Sequence, residues 1–176
     1  QNLSKEHLVR LGLDDDISQR ILDYKIKKVE KDFEFIEELF LIDGMTRDVY
    51  SALEPHVTIY RGNSLQVNIN TAGENVLRAV TGNNILINSI FEYRKGPDEK
   101  DGTEDDGIFN NDNFSIVFGS FGITPGDILN YQAMFNVKSG FFRILANVSF
   151  SEDKKIIKRV ISVAERSGKI YYWKEE

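Results

Sequence analysis

A short pattern occurs twice in this 176-residue chain and dictates the fold we expect. Its first copy reads LVRLG at residues 8–12 and ILDYK at residues 21–25. Its second copy reads LRAVTG at residues 77–82 and IFEYR at residues 90–94, and the matched apolar positions are offset by 69. Within each copy the apolar residues recur at helical spacing, and a tight turn separates the two stretches. The sequence therefore predicts two related helical hairpins.

Each predicted hairpin continues into a second apolar segment and a short helix. The letters GMT at residues 44–46 and GIT at residues 122–124 each indicate a helix stop followed by a new N-cap, and Pro125 suits a first helical position. The offset between these segments is 78, which exceeds 69 by nine residues. An insertion in the second copy must therefore fall between Arg94 and Phe118.

The segment between the two copies is predicted to be extended. Residues 65–70 alternate between apolar and polar side chains, as in a short strand or an extended linker. Thr71 and Glu74 then form a capping-box pattern that predicts a helix over residues 75–81. Gly82 is expected to end that helix as its C-terminal cap.

Beyond residue 138 the periodicity changes to that of strands. Alternating side chains predict strands within residues 142–150, 155–165 and 170–173, with a turn at residues 151–153. The expected structure is a three-strand antiparallel meander. One apolar face of such a sheet must be covered, and no covering helix is evident in the C-terminal part, so we expect the cover to come from the hairpins or from sequence upstream of this chain.

These patterns together predict an α+β protein with three segments. Residues 1–60 form a first helix-hairpin (SAM-like) repeat, and residues 61–137 form a second one that carries the insertion. Residues 138–176 form a C-terminal antiparallel sheet.

The net charge of −6 lies in one short part of the chain. The chain has 22 basic and 28 acidic residues, and the segment from Pro97 to Asn113 holds seven acids against the single base Lys100. The remaining residues carry 21 acids and 21 bases and are neutral as a whole. This acidic segment is also where the insertion falls.

The acidic segment is a candidate metal site. Clustered carboxylates repel one another unless they are solvated or share a cation, and oxygen ligands without His or Cys favour calcium over zinc or copper. The spacing does not fit an EF-hand, because Asp106 stands where glycine is required. The alternative is a solvated loop without a ligand. The candidate ligands are Asp98, Asp101, Glu104, Asp105, Asp106 and Asp112.

Composition excludes several classes of site. The chain has no Cys and two His, so thiolate chemistry is excluded, and zinc sites and hydrolase triads have little material. No apolar stretch approaches the roughly 18 residues that span a membrane. The chain begins at Gln1 and shows no signal-peptide pattern, so we expect it to be a fragment of a longer protein.

Several motifs, in order along most of the chain, resemble one family. FIEEL at residues 35–39 and DGMT at residues 43–46 precede VNINTA at residues 67–72. An acidic, glycine-punctuated loop at residues 96–106 and SGFF at residues 139–142 follow. This order resembles the general secretion pathway protein K family, the largest minor pseudopilins of bacterial type II secretion.

The resemblance implies a non-enzymatic protein at the tip of the type II secretion pseudopilus. It implies a prepilin leader and a long apolar helix in the inner membrane, followed by a periplasmic pseudopilin-type sheet interrupted by a helical insert. The partners it implies are the minor pseudopilins of types I and J, with no nucleic acid. The bulky helical domain would cap the fibre, and some members of the family bind calcium there. Such a protein would act in protein transport as a single-pass inner-membrane protein with a periplasmic domain.

Two other functions remain as alternatives. Asn-x-Asn-Thr-Ala before a helix also opens the helix-hairpin-helix DNA-binding modules of competence proteins. However, the turn at residues 11–16 places three carboxylates where a phosphate would lie, which is repulsive. An enzyme with a catalytic metal in the acidic loop is the third possibility, and no base or nucleophile motif lies near that loop.

Overall fold

The computed structural model describes residues 3–28, 33–60, 66–149 and 156–175. The chain divides into two compact units, a helical unit of Gln1–Ile59 with Ser64–Val137 and a sheet unit of Tyr60–Asn63 with Lys138–Glu176. The protein combines several helices with a three-strand antiparallel sheet, so the predicted mixture of helices and sheet is confirmed.

The first half of the helical unit begins with a hairpin of two helices, α1 (Lys5–Arg10) and α2 (Asp15–Lys27). Asp14 caps α2 by accepting a hydrogen bond from the Ile17 amide at 2.8 Å. A 3₁₀ segment, Ile36–Leu41, leads to α3 (Arg47–Leu53) and a last 3₁₀ turn, Glu54–His56. The buried side chains of this half form one cluster: Leu8, Leu13, Ile17, Ile21, Leu39, Ile42, Met45 and Leu53.

The second half has two hairpins in sequence. The helices are α4 (Glu74–Thr81), α5 (Asn84–Lys95), α6 (Phe114–Ser120) and α7 (Pro125–Met134). Gly82 adopts the left-handed conformation at φ 60° and ends α4, as the sequence predicts. The core of this half is aromatic, with Phe109, Phe114, Phe118 and Phe135 all buried, and α1 of the first half packs against α4.

The predicted capping box before α4 is wrong. The N-cap is Gly73, which has no side chain to accept a hydrogen bond, and the helix begins at Glu74. Thr71 instead lies in a tight turn, where its amide and that of Ala72 donate to the Asn68 carbonyl at 3.2 and 2.9 Å. The turn, and not a threonine cap, therefore sets the start of the helix.

A two-residue parallel pairing closes the second half. Strand β1 (Val67–Asn68) pairs with β2 (Phe135–Asn136), and the Ile69 amide donates to the Asn136 carbonyl at 2.9 Å. The linker before α4 is therefore held against the segment that follows α7. The sequence predicts the extended linker but not its partner strand.

The sheet unit is the predicted three-strand antiparallel meander. Its strands are β3 (Phe141–Ser149), β4 (Ile156–Glu165) and β5 (Ile170–Glu175), with β4 in the centre. The last strand runs two residues further than predicted, and the predicted turn at residues 151–153 lies outside the described residues.

One face of this sheet carries large apolar side chains that remain exposed. Phe142, Ile144 and Val148 alternate along β3, and the register places Trp173 of β5 in the same row as Ile144 through Ser162. These four side chains are between 43% and 56% exposed. Within the sheet unit, no described residue therefore covers this apolar face.

Candidate metal centre

The acidic segment forms a loop whose neck is closed by two glycines. The Gly107 amide donates to the Tyr93 carbonyl at 3.0 Å, and a Cβ on Gly107 would lie 2.2 Å from that oxygen. A Cβ added to Gly96, whose φ is 63°, would lie 2.3 Å from the Asp105 carbonyl oxygen. Larger residues cannot occupy these two positions without moving the backbone. We call residues 96–107 the acidic loop.

Asn70 anchors the chain where it leaves the acidic loop. Its amide nitrogen donates to the Phe109 carbonyl at 2.9 Å, and its amide oxygen accepts from the Phe109 amide at 2.8 Å. The same nitrogen lies 3.2 Å from the Val137 carbonyl. The Phe109 ring is buried against Tyr93, Phe114 and other aromatic side chains. The loop is therefore fixed at both ends to the core of the second half.

Three carboxylates converge on one hydroxyl inside the loop. The Thr103 Oγ1 atom lies 2.7 Å from Asp105 Oδ1, 3.1 Å from Asp106 Oδ1 and 3.3 Å from Asp98 Oδ1. A hydroxyl carries one proton and can donate to one acceptor at a time. The other two carboxylates therefore approach an oxygen that has no proton for them, which is unfavourable unless a positive charge joins the group.

Backbone amides orient the same three carboxylates. The Asp98 amide donates to Asp105 Oδ2 at 3.0 Å, and the Gly102 amide donates to Asp106 Oδ2 at 2.7 Å. The Lys100 amide donates to Asp98 Oδ1 at 2.9 Å. Hydrogen bonds from Thr103 and then from the Asp98 amide lower the pKa of Asp105 below its ordinary value. Asp105 is therefore ionised at neutral pH.

Among the described residues, no side-chain hydrogen bond joins the other three predicted ligands to this group. The charge of Asp101 acts on Arg94, where it opposes the burial that lowers the pKa of that guanidinium. Glu104 is exposed, and Asp112 belongs to a separate turn in which its amide donates to Asn110 Oδ1 at 2.9 Å. The structure thus groups Asp98, Asp105 and Asp106 but not the whole predicted set.

The donor chemistry of this group suits a hard cation, while its arrangement is not a finished cage. In the part of the chain that the structure describes, no three His, Cys, Asp or Glu side chains are placed to hold a metal ion. The donors that are grouped are all oxygens, as calcium prefers. The candidate ligands predicted from the sequence are all carboxylates and do not include the Thr103 hydroxyl. An acidic cluster with a hydroxyl residue between its members is the pattern that could have identified it.

The two hairpin turns that a DNA-binding module would use are already occupied by side chains. In the first, Asp14 accepts from the α2 amide of Ile17, and Asp15 and Asp16 form ion pairs with Lys5 and Arg20 at 2.6 and 2.7 Å.

At the second turn, residues 81–84, the Arg10 guanidinium group lies directly against Gly82 and donates to the carbonyl of Ala79 in α4 at 3.3 Å. A basic side chain therefore links the first half to the C-terminal end of α4.

Comparisons with known proteins find no match to a family model, to a curated protein or to a solved structure. Among the described residues, no helix has both the length and the apolar character needed to cross a bilayer.

Proposed function

We propose that this chain is the periplasmic part of a minor pseudopilin at the tip of the type II secretion pseudopilus. In this proposal it has no enzymatic activity and caps the fibre with its helical unit. It acts in protein secretion by contacting the minor pseudopilins of types I and J. The full-length protein would be held in the inner membrane by a single helix.

The uncovered apolar face of the sheet carries this proposal. Phe142, Ile144, Val148 and Trp173 expose about half of their surfaces to solvent, which costs free energy in an isolated domain. A long apolar helix laid across the three strands would bury this row. A pseudopilin supplies such a helix from the segment that also anchors it in the membrane, so the sheet has the surface that this architecture requires.

We also propose that the two halves of the helical unit are copies of one ancestral unit. The first residues of α1 and α4 are 69 apart, as are those of α2 and α5. Asp14 and Asn83, 69 apart, each cap the following helix by accepting from the amide three residues on. Thr46 and Thr124, 78 apart, do the same for α3 and α7.

The acidic loop is proposed to bind calcium through Asp98, Asp105 and Asp106, with Asp101, Glu104 and Asp112 as further candidates. The cation would supply the positive charge that three carboxylates around one hydroxyl require. Because the neck joins Tyr93 to Gly107, and Asn70 holds Phe109, a cation that orders the loop also braces α5 against α6.

A reconstitution test addresses the proposed function. The periplasmic parts of the type I and type J minor pseudopilins encoded by the same genome are mixed with this chain, and the mass of the complex is measured by light scattering. We expect a 1:1:1 complex and, in the cell, loss of type II secretion when the gene is deleted. Absence of the complex together with normal secretion would contradict the proposal.

A DNA titration separates this proposal from the helix-hairpin-helix alternative. Binding through phosphates weakens steeply with salt, because the affinity falls by about one order of magnitude for every two phosphate contacts between 50 and 200 mM. The carboxylates of the first hairpin turn oppose a phosphate there, so we expect no salt-dependent binding. Tight binding that falls steeply with salt would favour the DNA-binding function.

A further inference from the structure

Both histidines of the chain lie in the first half, and each accepts a hydrogen bond through a ring nitrogen. His7 Nδ1 lies 3.1 Å from the Ser4 amide nitrogen. His56 Nε2 lies 3.2 Å from Asn75 Nδ2. A ring nitrogen accepts a hydrogen bond only when it carries no hydrogen. Both bonds therefore require a neutral ring, with the proton on Nε2 of His7 and on Nδ1 of His56.

Arg78 decides which way the Asn75 amide group points. Arg78 Nη1 lies 3.2 Å from Asn75 Oδ1, and a guanidinium group donates hydrogen bonds but accepts none. The amide oxygen of Asn75 must therefore face Arg78, and its nitrogen must face His56. Once His56 is protonated, neither orientation of the amide satisfies both neighbours, because both of them are then donors. One hydrogen bond is lost in either case.

The bond between His56 and Asn75 joins the two halves at the start of α4. His56 ends the last 3₁₀ turn of the first half, and Asn75 lies in the first turn of α4. At the other end of α4, Arg10 of the first half lies against Gly82 and donates to the Ala79 carbonyl. The first half therefore holds α4 at both ends. Arginine stays charged at every physiological pH, so the histidine end is the one that protonation can release.

His7 sets the start of α1, the helix that carries Arg10. Ser4 and His7 form a capping box, in which each side chain accepts from the backbone amide of the other residue. A positive charge in the first turn of a helix opposes the helix dipole. Burial and then the charge of Arg10 lower the pKa of His7, against the opposing effect of Glu6. Protonation of His7 therefore weakens the helix that packs against α4.

The fold does not require a histidine at either place. At the offset of 69, Val76 stands where the first half has His7, and α4 begins after Gly73 without any side-chain cap. At the offset of 78, Met134 stands where the first half has His56. The second half forms its helices without a titratable group at these positions. The two histidines therefore add a response to pH that the helices themselves do not need.

Other charged groups lie on the elements that carry or contact the two histidines. Carboxylates ordinarily titrate at about pH 4 and basic side chains above about pH 10, whereas histidine titrates at about pH 6.5. A change from pH 7.5 to pH 5.5 therefore acts mainly on the histidines. The other groups include Lys5, Glu6 and Arg10 on α1, Asp15 and Asp16 on α2, Arg47 and Asp48 on α3, Glu54 next to Pro55 and His56, and Glu74 and Arg78 on α4.

We propose that the attachment of the first half to α4 is an acid-sensitive switch, which loosens when His56 and His7 are protonated. Because the pKa of His7 is lowered in the folded chain, its contribution to stability is complete above the ordinary value of 6.5 and is lost as the pH falls below it. The loss of the bond to Asn75 adds to this effect at the start of α4. This inference does not depend on the proposed secretion role.

Amide hydrogen exchange in the full chain measures the loosening, because protection reports the equilibrium between closed and open forms. The amides of Leu11 and Leu77, which donate to the carbonyls of His7 and Gly73, report on α1 and on the start of α4. After correction for intrinsic exchange rates, their protection should fall roughly fivefold between pH 7.5 and pH 5.5, as expected for one net hydrogen bond. The Val117 amide of α6 should show no such fall.

Non-titrating variants separate the switch from a general effect of acid. His7→Asn and His56→Gln offer an amide oxygen in place of the ring acceptor, so the double variant should keep its protection at pH 5.5. Asn75→Ala should lower the protection of the Leu77 amide at both pH values. Asn88→Ala, at an exposed position on α5, is the matched control and should behave as the wild type. Circular dichroism of each variant confirms that it is folded.

The ring nitrogens give a second readout on the unmodified chain. At pH 7.5, the nitrogen chemical shifts should show the hydrogen of His7 on Nε2 and that of His56 on Nδ1. Equal protection of the wild type at the two pH values overturns the proposal. So does an unchanged fall in the double variant, or a His56 ring with its hydrogen on Nε2.

Discussion

The first hairpins of the two halves, α1–α2 and α4–α5, bury side chains at matching positions, whereas the segments that follow them match only in part. Leu8 and Leu77 lie 69 residues apart in the sequence and are both buried, and the same is true of Ile21 and Ile90. At the offset of 78, the Glu38 side chain is largely shielded in an ion pair with Lys28 at 2.5 Å, while Ile116 is exposed to solvent. The hairpins therefore share buried positions, whereas the segments that follow them differ in which side chains they bury.

The two halves also differ in how they connect their hairpins to the next segment. Eight residues separate α2 from the 3₁₀ segment that follows, whereas the longer link from α5 to α6 contains the acidic loop. The larger aromatic cluster lies in the half with the longer link. We expect the second half to contribute more to stability and to respond to cations.

The largest expected effect comes from a matched pair of phenylalanines at an offset of 78. Phe118 is fully buried and packs on Phe114 with ring centroids 4.3 Å apart, while its counterpart Phe40 is 45% exposed. Phe118→Ala should lower the free energy of unfolding by about 3–5 kcal/mol because it leaves a cavity. Phe40→Ala should cost about 1 kcal/mol or less, since less surface is buried there. Urea unfolding measures both, and equal losses would contradict the difference between the halves.

Calcium should stabilise the second half alone. A ligand present at about 100 times its dissociation constant raises the free energy of unfolding by about 2.7 kcal/mol. For a chain of this size, that corresponds to a rise in Tm on the order of 5–10 °C. Calorimetry with calcium and with a chelator measures the shift. The double variant Asp105→Asn with Asp106→Asn should abolish it, because these carboxylates lie 2.7 and 3.1 Å from the Thr103 hydroxyl.

Asp15→Asn serves as the matched control for calcium, because Asp15 lies in an acidic turn of the first half and pairs with Lys5. It should leave the calcium response intact. A wild-type Tm that is the same with calcium and with chelator, together with no heat of binding, would show that the acidic loop does not bind calcium.

The neck of the acidic loop should tolerate no added methyl group. Gly107→Ala places a Cβ 2.2 Å from the Tyr93 carbonyl oxygen, so the backbone must shift, at a cost of about 1–3 kcal/mol. Gly126→Ala on α7 is the control, since nothing lies within 4 Å of its added Cβ. That change should be neutral or stabilise by about 0.5–1 kcal/mol. Thermal unfolding of the two variants should therefore shift in opposite directions or differ clearly in size.

The smallest expected effect is a change in how the stability of the first half depends on pH. A hydrogen bond from Lys28 lowers the pKa of Glu38 to about 2, and Tyr24 and two backbone amides also bond with its carboxylate. The contribution of Glu38 to stability is complete above its ordinary pKa of 4.5 and is lost as the pH falls toward 2. Glu38→Gln should reduce the fall of the urea unfolding midpoint between pH 5 and pH 2. Glu37→Gln should leave this pH dependence unchanged.

Local chemistry made much of the fold predictable. Helix starts at Thr46 and Thr124, the glycine stop at Gly82 and the alternation of β3 depend on neighbours within a few residues. The three-strand meander follows because its strands are consecutive in sequence. These features can be predicted because each depends on residues that are close to one another in the sequence.

Long-range pairings were not predictable in the same way. The parallel pair β1–β2 joins residues 68 apart, and β2 has no strand pattern of its own. Thr71 has the residue type of a cap, yet the bonds of its turn to Asn68 override that preference. In the acidic loop the composition marked six carboxylates, but only the folded backbone decides which three meet at Thr103. The sequence contains the donors, and their distances depend on turns that no spacing rule describes.

The closed neck of the acidic loop makes the loop an exchangeable module. Gly107 and Tyr93 join its two ends by a backbone hydrogen bond, and the Asn70 side chain holds the next turn independently of what lies inside the loop. We therefore expect loops of other lengths or binding chemistry to be accepted between Gly96 and Gly107 with the Tyr93–Gly107 and Asn70–Phe109 hydrogen bonds intact. For evolution and for protein engineering alike, this neck is a point at which new binding properties can be added while the scaffold stays the same.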